Sequence, residues 1–204
     1  MVNPEPATGP TKVLVVDDEE GIRNALDRFL SRLGYQVVQA SDGAEALVQQ
    51  ATARPEAMLS DIRMPGMAGV ELVPKALAQD SDLAIIMLTA IDEPRMAIEC
   101  LKLGAYDYLI KPVDLEELKL SLRGALRQRA LEIGRRELEQ WLAREVAVRT
   151  RTLEEHTSAL TEVALDALAA TKNWPGERAA LEGLAKALGS PVGDLEAQLR
   201  RRRG

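Results

Sequence analysis

Five short aliphatic runs, separated by amphipathic segments between residues 12 and 128, limit the folds open to this chain more than any other feature. The runs read KVLVVD, YQVVQA, AMLS, LAIIML and DYLI. Strands that are aliphatic throughout are typical of a parallel sheet covered by helices on both faces. Helical stretches begin near Glu20, Gly43, Val70, Pro94 and Leu115. The sequence therefore predicts an α/β domain built on a doubly wound, five-stranded parallel sheet.

Reactive side chains follow four of these runs. Asp17 and Asp18 follow the first run, Asp61 the third, Thr89 the fourth and Lys111 the fifth. The carboxyl ends of the strands in an open α/β sheet share one edge, so these residues should meet in one cleft. Carboxylates without His or Cys suit a hard cation such as Mg²⁺ or Mn²⁺. An ionised Asp beside such a cation and a lysine can attack phosphorus, which predicts a metal-dependent phosphorylation site.

Four segments in order, VLVVDDEE, SDIRMPGMAG, LTA and YLIKP, resemble the receiver domain of bacterial two-component response regulators over about residues 12–128. The resemblance implies a flavodoxin-like fold in which Asp61 accepts a phosphoryl group from a histidine kinase. It also implies that Asp18, Asp61 and the main-chain carbonyl of Arg63 bind Mg²⁺, while Asp17 acts mainly through a coordinated water.

The same resemblance implies how the phosphoryl group is detected. Lys111 would pair with a phosphoryl oxygen, Thr89 would move to hydrogen-bond the group, and Tyr108 would rotate inward to fill the space left behind. A cis peptide bond is expected between Lys111 and Pro112. A protein of this kind is not an enzyme beyond its self-catalysed phosphotransfer and dephosphorylation.

Residues 115–172 predict one long helix that continues from the last helix of the receiver. Its apolar positions mostly recur every seven residues, as in a coiled coil. The seam consists of Leu138, Leu142, Val146, Leu153 and Leu160. A single helix would expose this stripe, so we expect a parallel homodimer that passes the signal to a downstream protein partner. Arg149 and His156, the chain's one histidine, fall on the seam, where polar residues usually set register.

Residues 173–204 predict a small helical tail with a turn at Gly189. Trp174 is expected to anchor the break before it. The tail is too small to hold a core, so it either docks or frays. The spacing of Ala185, Gly189 and Leu195 also fits a helix-turn-helix of a DNA-binding transcriptional regulator, but no third supporting helix is evident. A third alternative is a truncated HD-GYP-type cyclic-dinucleotide regulator, although its HD pair and GYP motif are absent.

Charge makes nucleic acid an improbable partner. Residues 1–120 carry 11 basic and 20 acidic residues, and the rest carries 15 basic and 12 acidic residues. Four of those 15 form the run Arg200 to Arg203. Without the run the second part is slightly acidic, which is a poor footprint for nucleic acid. The run itself could stabilise a helix C-terminus, bind a partner or lack order.

The N-terminus and the apolar runs predict a cytoplasmic protein that does not bind membranes. The first residues, MVNPEPATGPTK, lack the positive and apolar regions of a signal peptide, and residues 1–11 predict a disordered arm. No apolar run approaches the 18 residues that span a bilayer. The single cysteine, Cys100, excludes an internal disulfide framework.

Overall fold

The computed structural model describes residues 9–90, 94–171 and 175–203. Strands and helices alternate before three consecutive helices complete the described chain. The elements are β1 (Lys12–Val16), α1 (Glu20–Arg32), β2 (Gln36–Ala40), α2 (Gly43–Ala53), β3 (Ala57–Asp61), α3 (Gly69–Gln79), β4 (Ala84–Thr89), α4 (Pro94–Lys102), β5 (Asp107–Ile110), α5 (Leu115–Ala170), α6 (Glu177–Leu188) and α7 (Val192–Arg203). The predictions for residues 1–8 and Trp174 lie outside these ranges.

The five strands form one parallel sheet with the order β2-β1-β3-β4-β5, which confirms the predicted class. The register aligns the strand ends on which the reactive residues were predicted. Val16 pairs with Ser60, the residue before Asp61, while Thr89 pairs with Ile110, the residue before Lys111. These side chains therefore belong to one edge of the sheet.

Two hydrophobic layers cover the sheet. Leu72 of α3 and Ala97 of α4 belong to the cluster on one face, and Leu26 of α1 and Leu118 of α5 belong to the cluster on the other. Strand residues such as Met58 and Leu59 alternate between the two clusters and are fully buried. Burial on both faces explains why the strands are continuously aliphatic.

Local capping explains where individual elements begin and end. Asp42 caps α2, because its Oδ1 accepts hydrogen bonds from the backbone N–H groups of Ala44 and Glu45 at 2.8 Å. Gly34 follows α1 with a φ of +90°, which lies in the left-handed region and ends the helix before β2.

The chain divides into two compact units, residues 1–136 and residues 137–204. In the second unit, α6 and α7 pack on the last turns of α5. Their buried core contains Leu165, Leu181, Ala185, Leu195 and Leu199. The expectation that α6 and α7 lack a third supporting helix is therefore wrong, because the end of α5 supplies it.

Two residues of the C-terminal arginine run hold this small unit together. The guanidinium of Arg203 donates to Glu177 Oε2 at 2.7 Å and to the carbonyls of Leu168 and Thr171 at 2.7 and 3.0 Å. Arg202 donates to Asp166. Arg203 thus satisfies carbonyl groups that the end of α5 leaves without intrahelical partners.

The predicted seam of α5 is exposed in the single chain. Exposure rises from 47% at Leu142 to 70% at Leu160. Successive residues of an α-helix are rotated by about 100°, so Leu165, which contacts the tail, lies nearly opposite Val163 and Ala167. The tail therefore leaves Leu160 accessible, while Leu153 of the seam lines a groove together with Leu188 and Leu195 of the tail. Among the described ranges, no helix combines the length and apolarity needed to cross a bilayer.

Candidate functional site

Three acids and a lysine meet at the carboxyl edge of the sheet. Asp17 and Asp18 follow β1, Asp61 ends β3 and Lys111 follows β5. One carboxylate oxygen from each acid lies within 4.8 Å of those from the other two. The three acids differ in accessibility, since the side chain of Asp17 is fully buried, that of Asp61 is 12% exposed and Asp18 lies on the surface. Solvent therefore reaches the cluster from one side.

Lys111 balances part of the negative charge of this cluster. Its Nζ donates to Asp17 Oδ2 and to Asp61 Oδ2, both at 2.8 Å. Burial lowers the pKa of Lys111, but the hydrogen bonds to the two carboxylates and their charges outweigh burial and leave the pKa above its ordinary value. The lysine is therefore a cation at neutral pH, and the cluster keeps an excess of carboxylate.

The donor set fits a hard divalent cation. The three closely spaced ligands are all carboxylate oxygens, and the described residues place neither His nor Cys among them. Oxygen-only coordination suits Mg²⁺ or Mn²⁺ rather than Zn²⁺. One lysine cannot neutralise three acids, so a cation would also relieve the remaining repulsion.

Backbone contacts fix the positions of the two central acids. Asp17 Oδ1 accepts a hydrogen bond from the N–H of Glu19 at 2.9 Å, and Arg23 donates to the carbonyl of Asp17 at 2.6 Å. The N–H of Arg63 donates to Asp61 Oδ1 at 3.4 Å. Both carboxylates are therefore oriented before any ligand binds, which lowers the entropy lost on binding.

Thr89, Tyr108 and Pro112 are the other residues that the sequence assigned to this site. The hydroxyl of Thr89, at the end of β4, donates to the carbonyl of Ala90 at 3.1 Å. Tyr108 is half-buried and packs on the hydrophobic cluster that includes α3 and α4. The peptide bond between Lys111 and Pro112 is cis.

Two neighbours of the acids were missed in the sequence. Arg23 contacts the Asp17 carbonyl, and Gly69 packs so closely that an added Cβ would lie 3.2 Å from the carbonyl oxygen of Asp61. The i to i+6 spacing of Asp17 and Arg23 is compatible with many surface helices. Gly69 is the last residue of the segment SDIRMPGMAG, but its close packing was missed because its nearest neighbour, Met87, comes from β4.

Comparison with known protein families identifies the domain that carries this site. The family model described as response regulator receiver domain matches residues 13–123, more than half of the chain. The chain belongs to the response regulator receiver family. Its two-component receiver covers β1 to the first turns of α5 and contains all the site residues described above.

Named relatives match mainly through this receiver. The regulatory protein AtoC of Escherichia coli (strain K12) is 35% identical over 136 residues, which cover 67% of this chain and 30% of AtoC. The response regulator MprA of Mycobacterium ulcerans (strain Agy99) is 43% identical over 121 residues, which cover 59% of this chain and 52% of MprA. The matches thus span about half or less of these relatives.

Solved receiver structures have the same fold. The signal receiver domain of an HD domain-containing protein from Pseudomonas fluorescens Pf-5 is 31% identical, with a TM-score of 0.61 over 66% of this chain and 99% of that one. The chemotaxis protein CheY4 of Vibrio cholerae is 36% identical, with a TM-score of 0.55 over 57% of this chain and 99% of that one. The likeness is limited to the receiver, so the long helix and tail need a separate explanation.

Proposed function

We propose that this receiver accepts a phosphoryl group on Asp61 from a histidine kinase and passes the change to the rest of the chain. The observation that carries the proposal is the junction of Asp17, Asp18, Asp61 and Lys111 at one edge of the sheet. Asp61 suits the acceptor role, because its side chain is held by Lys111 yet remains 12% exposed. Asp17 is fully buried and is therefore shielded from a donor.

The transfer exchanges one bond to phosphorus for another. A carboxylate oxygen of Asp61 attacks the phosphorus of a phosphohistidine, the P–O bond forms as the P–N bond breaks, and the imidazole nitrogen leaves and takes up a proton. Lys111 already contacts Asp61 and would pair with an oxygen of the transferred group. Fixed cations beside the reacting group stabilise the charge that spreads over its oxygens.

Asp17, Asp18, Asp61 and the main-chain carbonyl of Arg63 would hold Mg²⁺ or Mn²⁺. Such an ion supplies positive charge that screens the acceptor carboxylate from the incoming phosphoryl oxygens. The proposal for Asp17 is that it acts mainly through coordinated water, in keeping with its direct bond to Lys111. Asp18 is the most exposed of the three acids and is free to rotate toward the ion.

Thr89 and Tyr108 would change conformation on phosphorylation and so alter the surface of the receiver. The hydroxyl of Thr89, now bonded to the carbonyl of Ala90, would exchange that acceptor for a phosphoryl oxygen. Tyr108 would then rotate inward. Because α5 follows β5 in the chain and continues to Ala170, the change would alter pairing of the long helix or expose a surface for a downstream protein. A full shift from 1:99 to 99:1 requires about 5.5 kcal/mol.

Chemical phosphorylation tests the acceptor. Acetyl phosphate with Mg²⁺ should add one acid-stable, base-labile phosphoryl group, measured by mass spectrometry of the intact chain. Asp61→Asn should abolish the addition, whereas Asp194→Asn, the same change on the exposed surface of α7, should leave it intact. Labelling that persists in Asp61→Asn would disprove the assignment of the acceptor.

The second part of the proposal is a parallel homodimer through the α5 seam. Support comes from the exposure of Leu138, Leu142, Val146, Leu153 and Leu160. Large apolar side chains repeated along one stripe are costly to leave in water. A parallel arrangement would place two receivers at the same end of the coil.

Sedimentation of matched variants tests the dimer. Val146 and Val148 are both 62% exposed, but Val148 lies about 200° further around the helix, away from the seam. Val146→Glu should shift the chain toward monomer, while Val148→Glu should not. Sedimentation with and without beryllofluoride, a phosphoryl mimic, then shows whether phosphorylation tightens or loosens pairing. A chain that sediments as a monomer both with and without beryllofluoride would disprove the proposed dimer.

A second candidate function is DNA binding by α6 and α7. It is favoured by the buried contacts of Leu195 and Ala185 with the end of α5, which complete a three-helix unit. Against it, Arg202 and Arg203 are engaged within the chain, and the first turn of α7 carries an acid, Asp194. Retention of the full chain on DNA that falls steeply with salt would favour this candidate, whereas salt-independent or absent retention would reject it.

A further inference from the structure

A second pocket of the receiver lies at the opposite edge of the sheet from Asp61, where β3 begins. Its volume of about 520 Å³ falls within the range of small-molecule sites. The end of α2, the end of α3 and one residue of α5 form its walls. The lining residues are Gln50, Ala51, Arg54, Pro55, Gln79, Asp80 and Arg129.

Two buried polar atoms at this pocket have no hydrogen-bond partner. Across residues 9–90, 94–171 and 175–203, the buried side-chain N and O atoms without a partner are Gln50 Oε1 and Arg129 Nε. Both residues line the same pocket. Buried polar groups are almost always paired, and leaving one unpaired is costly. Their coincidence at one pocket therefore points to a ligand that supplies both partners.

The orientation of the Gln50 amide is fixed by its other end. Gln50 is 4% exposed, and its Nε2 donates to the carbonyl of Ala76 at 2.8 Å. Flipping the amide would place its oxygen against that carbonyl, so Oε1 must remain the unpaired atom. Gln50 Oε1 and Arg129 Nε each have less than 1 Å² of accessible surface, so a ligand in the pocket would reach this acceptor and this N–H donor only after the lining side chains shift.

The charge of the lining favours an anion. Two guanidinium groups, those of Arg54 and Arg129, outnumber the single acid, Asp80. Asp80 Oδ2 lies 3.8 Å from a terminal nitrogen of Arg129, and the buried Nε of that arginine has no hydrogen-bond partner. A ligand that satisfies the pocket must bring negative oxygen to Arg129 and a hydrogen-bond donor to Gln50.

We propose that this pocket binds a small anion that carries its own hydroxyl or amino donor beside its anionic oxygens. The pair of unpartnered atoms gives selectivity for such a molecule, because an anion without a donor leaves Gln50 Oε1 unpaired. The site is independent of the phosphorylation chemistry proposed for Asp61, which lies at the other end of β3.

Phosphate and sulfate form a matched pair of probes. Between its second and third ionisations phosphate is a dianion that keeps one O–H, whereas sulfate is a dianion of the same shape with no donor, so the titrations are run in that pH range. The full chain, without divalent metal, is titrated with each anion while the Gln50 side-chain amide and the Arg129 Nε–H are followed by NMR. Phosphate should shift both signals saturably, and sulfate should bind at least tenfold more weakly.

A pair of variants on the same helix separates the pocket from general charge. Arg129→Met should weaken phosphate at least tenfold, and Arg127→Met, an exposed arginine outside the pocket lining, should leave it unchanged. If Arg129→Met fails to fold, the comparison of phosphate and sulfate binding to the unmodified chain still tests the proposal. The proposal is overturned by unsaturable shifts at the two side chains, by equal affinity for both anions, or by an equal loss in Arg127→Met.

Discussion

Replacing Lys111 tests how much its positive charge stabilises the receiver through the acid cluster. Its Nζ lies 2.8 Å from one carboxylate oxygen of Asp17 and 2.8 Å from one of Asp61. At an effective dielectric of 20, each contact provides an attraction of about 6 kcal/mol before desolvation. Removing one partner of a buried pair costs about 3–5 kcal/mol. Because Lys111 is 20% exposed, we expect Lys111→Met to destabilise the receiver by about 3 kcal/mol without divalent metal.

The chain's single cysteine gives a probe that is specific to the receiver. Cys100 is fully buried, and burial, reinforced by the charge of Glu99, raises the pKa of its thiol to about 11. Its reaction with an alkylating reagent therefore requires opening of the receiver, and the rate reports the free energy of opening. A loss of about 3 kcal/mol should accelerate labelling by about two orders of magnitude. Lys119→Met, which breaks a pair with exposed Glu116, is the control and should change little.

Metal and pH provide two further checks on the same variant. Mg²⁺ should recover part of the stability lost in Lys111→Met, because a cation bound by the acids replaces the missing ammonium. The pKa of Lys111 is raised in the folded state, so its contribution is fully present below about pH 10 and is lost as pH rises through the folded pKa. Equal labelling rates in Lys111→Met and Lys119→Met at neutral pH would refute the reasoning.

Three other predictions concern packing and the C-terminal unit. Gly69→Ala would place a Cβ 2.5 Å from Met87 Cε, so it should destabilise the receiver by about 1–3 kcal/mol, measured by cysteine labelling. Arg203→Met should speed amide exchange in α6 and α7 severalfold, whereas Arg201→Met, an exposed neighbour, should not. The hydrogen bond from Arg203 lowers the pKa of Glu177, so its contribution is present above about pH 4.3 and is lost as pH falls through the folded pKa. Glu177→Gln should remove this acid dependence from amide exchange in α6.

The receiver was predictable because its organisation follows from local patterns. Continuously aliphatic runs identify strands that are buried on both faces, and all strands of a parallel sheet end at the same edge. These two rules place Asp17, Asp61 and Lys111 together without knowledge of any side-chain contact. Strand limits differ from the predicted runs by one residue at five of the ten ends, as at β4, where the run begins at Leu83 and the strand begins at Ala84.

The C-terminal unit was less predictable because its contacts depend on how helices cross. The partners Arg203 and Glu177 are 26 residues apart, and no periodic pattern links them. Leu165 lies within the predicted coil but contacts the tail instead of belonging to the seam. The pocket at Gln50 and Arg129 was missed for the same reason, since it joins residues from α2 and α5.

The arrangement of side chains near the end of α5 separates two selective pressures on one helix. Leu160 belongs to the seam and Leu165 to the core of the tail, and these two side chains lie on different faces of α5. Substitutions at sites without shared contacts have nearly additive energies. Evolution could therefore change which coils recognise one another while the attached tail stays folded, or replace the tail while recognition between coils is preserved.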